Sequence, residues 1–88
     1  MKRLIVKGRV QGVGFRYFTE ILASEYGAKG YVKNLFNGDV EIIISNENEI
    51  EYKQFKNKII AGNSMSEVDK LVEEEYYGEK YNKFTIKY

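Results

Sequence analysis

Between Leu4 and Tyr26 the spacing of apolar residues changes period, and three glycines sit at the change. Residues 3–10 alternate loosely, with Leu4, Val6 and Val10 on one face, which is the two-residue period of a strand. From Phe15 the spacing becomes three and four, through Phe18, Leu22 and Tyr26, with Ile21 beside Leu22. That is the stripe of an amphipathic helix. The junction is GRVQGVGFR, residues 8–16, which carries Gly8, Gly12 and Gly14 and closes on Arg16. The chain must therefore pass from strand to helix through a short, glycine-bearing turn.

The remaining pattern extends this start. Gly27 predicts the end of the first helix. KGYVKNLF, residues 29–36, and DVEIIIS, residues 39–45, read as strands joined at Asn37-Gly38, a pair that favours a type I′ hairpin turn. Asn48 with Glu51 three residues on resembles a capping box. It opens a second helix over roughly 49–61, with Tyr52, Phe55 and Ile59 on one face and Gly62 as its stop. Residues 66–76 read mostly as strand, although Val68 and Val72 also suit helical spacing. Residues 82–88 alternate Phe84, Ile86 and Tyr88 as a short terminal strand. The order β-α-β-β-α-β predicts an α+β, ferredoxin-like sandwich, with two helices on one face of an antiparallel sheet. Eighty-eight residues predict one domain over 1–88.

Composition removes several chemistries. There is no Cys, so no disulfide and no thiolate nucleophile, and no His, so no Ser-His triad and few routes to a zinc site. MKRLIVKGR lacks the long apolar stretch of a signal peptide, and nothing approaches a membrane span. The expected compartment is the cytoplasm. Net charge is only +1, yet residues 1–33 hold seven Lys/Arg against Glu20 and Glu25, while residues 34–88 hold seven Lys against eleven acids. The basic end contains the glycine-rich junction.

A helix N-terminus leaves backbone N–H groups without partners, and the helix dipole adds positive charge there. Glycines let those groups converge on an anion, and an arginine in the first helical turn can grip two oxyanion oxygens at once. On this pattern alone, an anion cradle and a tight turn without a ligand are equally served. Familiar phosphate motifs do not match: Phe15 and Arg16 follow Gly14 where a P-loop has Lys and Ser/Thr, and Tyr17 stands where a dinucleotide fingerprint needs glycine. If the site hydrolyses a phosphate, water must attack phosphorus directly, because no His or Cys is present.

GRVQGVGFR followed by GYVKNLFNGDVE resembles the acylphosphatase family, whose pattern is G-x-V-Q-G-V-x-F-R and then G-x-V-x-N-x-x-x-G-x-V. Gly8, Val10, Gln11, Gly12, Val13, Phe15 and Arg16 match the first motif, and Gly30, Val32, Asn34, Gly38 and Val40 match the second. FTIKY also looks like the family's last strand, so the resemblance covers nearly the whole chain. It implies hydrolysis of acyl phosphates to a carboxylate and inorganic phosphate, without metal or cofactor. It implies that Arg16 binds the phosphoryl group together with the loop amides of Gln11, Gly12, Val13, Gly14, Phe15 and Arg16, and that Asn34 positions the attacking water. Two departures stand out. Asn37-Gly38 replaces a common Asp-Gly, and Gly62-Asn63-Ser64 replaces a Pro-containing segment after the second helix.

Two other readings share the pattern. A non-catalytic binder of acyl or carbamoyl phosphate would need the same cradle. An RNA-binding module has the same fold order, but KGYVKNLF lacks the Gly/Ala-Phe-Val core of the RNP1 pattern and lies on the second strand rather than the third. Acylphosphatase-like domains also occur within larger hydrogenase-maturation proteins. Here the chain ends with the domain and retains Arg16 and Asn34, which favours a free-standing enzyme. The chain is expected to act as a monomer on a small acyl phosphate, with no nucleic-acid or membrane partner.

Overall fold

The computed structural model describes residues 1–88. Strand β1 spans Lys2–Arg9, helix α1 Phe15–Glu25, β2 Lys29–Asn34, β3 Val40–Ser45, α2 Glu49–Ala61, β4 Glu67–Glu75 and β5 Phe84–Lys87. The sheet runs β4-β1-β3-β2-β5. Its first four strands are antiparallel neighbours, in the ferredoxin-like order. Residues 67–75 form a continuous strand with an irregularity opposite Lys7 and Gly8.

The fifth strand adds a feature that alternation does not report: β5 pairs parallel to β2, making the sheet mixed. The cause is the route of the chain. β4 ends beside Lys2, at the end of the sheet where β2 begins. The link 76–83 carries the chain from the β4 edge to the β2 edge, with Tyr81 packed on Tyr31 at 5.8 Å between ring centroids. β5 therefore starts opposite Gly30 and must run with β2. It delivers Lys87 and Tyr88 to the end of the sheet where β1 gives way to α1.

The core lies between the sheet and both helices. Leu4, Val6, Val32, Val40, Ile42 and Ile44 project from one sheet face against Phe15, Leu22 and Ala23 of α1 and Phe55 and Ile59 of α2. The helical stripe is as expected except at its edge, where Ile21 is exposed and Thr19 is buried instead. Thr19 fits there because its hydroxyl donates to the Phe15 carbonyl one turn back, at 2.9 Å. Asn48 caps α2, its Oδ1 accepting from the Glu51 N–H at 3.0 Å. Asn46 takes the other half of the expected box, since its Oδ1 accepts from the Asn48 N–H.

The hairpin between β2 and β3 is a correction to the type I′ expectation. That turn needs positive φ at both central residues, but Asn37 has none, and only Gly38 does, at 97°. The Gly38 N–H donates to the Leu35 carbonyl and the Leu35 N–H to the Asp39 carbonyl, closing a three-residue loop over Phe36, Asn37 and Gly38. The Asn37 side chain prefers to accept from the Asp39 N–H at 3.0 Å, which holds its own backbone out of the left-handed region.

Candidate active site

At the end of the sheet where β1, β2 and β5 finish their run lies a cavity of about 210 Å³. Gly12, Gly14, Phe15 and Arg16 line it from the strand-to-helix turn, and Asn34 from the last position of β2. Val10, Tyr17, Ile86 and Tyr88 complete its wall. The structure therefore brings Arg16 and Asn34, eighteen positions apart in sequence, to one small space.

The turn owes its shape to its glycines. Gly12 and Gly14 both have φ of 73°, in the left-handed region, and Gly14 caps α1 without any side-chain hydrogen bond. A Cβ on Gly12 would meet nothing within 4 Å, so its missing side chain leaves open space rather than relieving a protein contact. None of residues 11–14 donates its backbone N–H to a backbone carbonyl. The N–H groups of Gly14 and the first turn of α1 form the positive end of the helix, and the unpaired N–H groups of residues 11–13 lie in the turn that leads into it.

Gln11 and Val13 stand outside the cavity wall. The Gln11 side chain donates to the carbonyls of Leu35 and Asp39, at 2.7 and 2.8 Å, and so ties the turn to the hairpin that follows Asn34. Val13 packs on the core, and its carbonyl accepts from Asn63 Nδ2 at 2.9 Å. Arg16 is held from β5: one guanidinium nitrogen donates to the Lys87 carbonyl at 3.1 Å, and its Cζ sits 4.5 Å from the centre of the Tyr88 ring. Sequence reasoning passed over Tyr17, Ile86, Tyr88 and Asn63 as site residues. The alternation of Phe84, Ile86 and Tyr88 marked a strand, but only the parallel pairing with β2 says which end of the sheet it reaches.

Asn34 carries the most informative atom. Its Oδ1 is a buried side-chain oxygen with no hydrogen-bond donor in the chain. Buried polar atoms are nearly always paired, so an acceptor without a donor on a residue that lines the cavity points to a donor from outside the chain. No group of three or more acidic side chains is placed to hold a metal ion. No helix is long and apolar enough to cross a membrane.

The family model described as Acylphosphatase matches residues 2–86. This chain belongs to the acylphosphatase family. Among curated relatives, the acylphosphatase of Bacillus licheniformis is 44% identical over 87 residues, covering 98% of this chain and 96% of the relative. That of Thermotoga maritima is 42% identical over 86 residues, covering 98% and 94%. The crystal structure of the acylphosphatase from Bacillus subtilis superposes with a TM-score of 0.90 at 36% identity, covering 99% of this chain and 97% of that one. The fold of this chain is thus shared with a solved acylphosphatase over nearly the whole length of both.

Proposed function

We propose that this chain hydrolyses acyl phosphates to a carboxylate and inorganic phosphate, with the phosphoryl group seated on the amides of residues 11–16 and on Arg16 and the attacking water held by Asn34. The observation that carries the reading is the buried, unpaired Oδ1 of Asn34, a residue that lines the same cavity as Arg16, Gly12 and Gly14. A water donating one hydrogen to that oxygen keeps its lone pair free for phosphorus.

The chemistry asks little more. Water oxygen bonds to phosphorus as the bond from phosphorus to the acyl oxygen breaks, and the carboxylate departs with that electron pair. The water proton passes to a phosphate oxygen. A carboxylate is a good leaving group, so the loose transition state needs positioning and charge stabilisation more than a strong base. The guanidinium and the amides supply the charge, and an Asn amide supplies the position. The reading needs neither metal nor cofactor. We place the reaction in one cytoplasmic domain over 1–88, acting as a monomer without a nucleic-acid partner; a net charge of +1 offers little for a phosphate backbone.

The test is hydrolysis of benzoyl phosphate in EDTA by the wild type, Asn34→Ala and Arg16→Ala. Rapid metal-free turnover is expected. Asn34→Ala should lower kcat while leaving inhibition by inorganic phosphate nearly intact. Arg16→Ala should lose phosphate binding and about 10²–10³ of the rate. A wild type that binds phosphate but turns over nothing would favour the non-catalytic binder.

A further inference from the structure

We propose that Asn63 is a positioning residue for this site: it turns the Val13–Gly14 peptide so that the Gly14 N–H faces the phosphoryl group. The inference rests on the cradle proposed above and assigns part of its geometry to a residue outside the cavity.

Asn63 lies in the link between α2 and β4, fifty positions from Val13. Its side chain is fixed at both ends. Oδ1 accepts from the Met65 N–H at 3.3 Å, and Nδ2 donates to the Val13 carbonyl at 2.9 Å. Its backbone is fixed too, since its N–H donates to Ser66 Oγ at 2.9 Å and its carbonyl accepts from the Ser66 N–H at 3.3 Å. The donor that reaches Val13 is therefore anchored in its own loop.

In a trans peptide the C=O and N–H point in opposite directions. All peptide bonds of the chain are trans. The Val13 carbonyl points to Asn63, and neither residue lines the cavity, whereas Gly14 does. Pulling the carbonyl outward thus directs the Gly14 N–H inward. The need for such a latch follows from the glycine. With no Cβ, Gly14 takes φ of either sign at little cost, so rotation of the 13–14 peptide is cheap on this side. A rotated peptide would present its carbonyl oxygen, the negative end of the dipole, to the anion. The Asn63 amide selects one of the two orientations before the substrate arrives, which is preorganisation of an oxyanion donor.

The experiment is a titration of ¹⁵N-labelled protein with inorganic phosphate, following the Gly14 amide, in the wild type, Asn63→Asp and Asn63→Ala. Asn63→Asp keeps an acceptor for the Met65 N–H but replaces the donor to Val13 with a charged oxygen, and Asn63→Ala removes the donor without adding charge, so an effect shared by both reports the latch rather than the loop or the charge. In the wild type the Gly14 amide signal should move with phosphate. In both variants that response should be largely lost, phosphate affinity should fall about ten-fold, and kcat/KM for benzoyl phosphate should fall by a similar factor. A variant that melts earlier but binds phosphate as the wild type does would overturn the proposal and leave Asn63 a purely structural residue. A wild type whose Gly14 amide ignores phosphate would instead overturn the cradle, and the role of Asn63 with it.

Discussion

Arg16 hydrogen-bonds the backbone carbonyl of Lys87, 71 positions later, at 3.1 Å. The Tyr88 ring lies 4.5 Å from its Cζ. A long, flexible side chain at the mouth of a cavity is thereby given one direction by the last strand. The carbonyl occupies one N–H of the guanidinium and leaves the other donors of the fork for an oxyanion. Arg16→Lys keeps the charge but has no fork to divide between Lys87 and a phosphate. We expect it to lower kcat/KM about 10²-fold with little change in melting temperature, read by steady-state kinetics and calorimetry.

Tyr88→Ala removes the stacking and leaves the carbonyl contact. An exposed cation–π pair is worth about 0.5–1 kcal/mol, so inhibition by inorganic phosphate should weaken about two- to five-fold. Unchanged inhibition would show that Lys87 alone orients Arg16.

Gly12→Ala separates the two uses of a glycine. Its φ of 73° costs a side chain about 1–2 kcal/mol, and a Cβ there touches no protein atom within 4 Å. The variant should therefore fold with a modest loss of stability. The Cβ enters the space proposed for the anion, so phosphate protection against thermal unfolding should fall far more than stability itself. Equal protection in both proteins would place the anion elsewhere.

These expectations draw on what the sequence made legible and what it did not. The strand and helix periods placed the core, because Leu4, Val6, Val32, Ile42 and Phe55 each have one side facing the other layer. Arg16 was legible from its place in the first turn of a helix that follows a glycine-bearing junction, and Asn34 only through the resemblance of its motif to the acylphosphatase family. The supports of the site were not. Whether β5 runs parallel to β2 depends on which end of the sheet the link 76–83 crosses, and no local pattern encodes that. Asn63 reads as an ordinary loop residue, since its partner lies fifty positions away. The turn at Asn37-Gly38 was misread because a side-chain hydrogen bond to Asp39 outweighed the dipeptide's usual preference.

Gln11 offers a test of how the turn is joined to the hairpin after Asn34. Its Nε2 serves two carbonyls at once, those of Leu35 and Asp39. Gln11→Ala leaves both without this donor, and each part-buried carbonyl lost costs about 1 kcal/mol. We expect a loss of about 1–3 kcal/mol in denaturant titrations, together with a lower kcat, since Asn34 sits one residue before Leu35. Gln11→Glu presents acceptors to those carbonyls and should be no better than alanine.

Part of the dependence of stability on pH should come from a cluster on the helix α2 side of β4. Glu73 accepts from Lys56 Nζ and from the Tyr52 hydroxyl, both at 2.8 Å. The hydrogen bond from Lys56, then that from Tyr52, holds its carboxyl below the ordinary value of 4.5. Burial, then the hydrogen bond to Glu73, pushes the Tyr52 hydroxyl above its ordinary value of 10.0. The signs differ. A carboxyl with a lowered folded value binds fewer protons folded than unfolded, so its contribution is full above about pH 4.5 and is lost as pH falls through the folded value. A phenol with a raised folded value holds its proton longer when folded, so its contribution is full below about pH 10.0 and is lost as pH rises beyond it. Melting temperatures should therefore form a plateau between these limits. Glu73→Gln should flatten the acid limb between about pH 5 and 3, and Tyr52→Phe should flatten the alkaline limb above about pH 10. An acid limb as steep in Glu73→Gln as in the wild type would mean that the acid sensitivity lies outside this cluster.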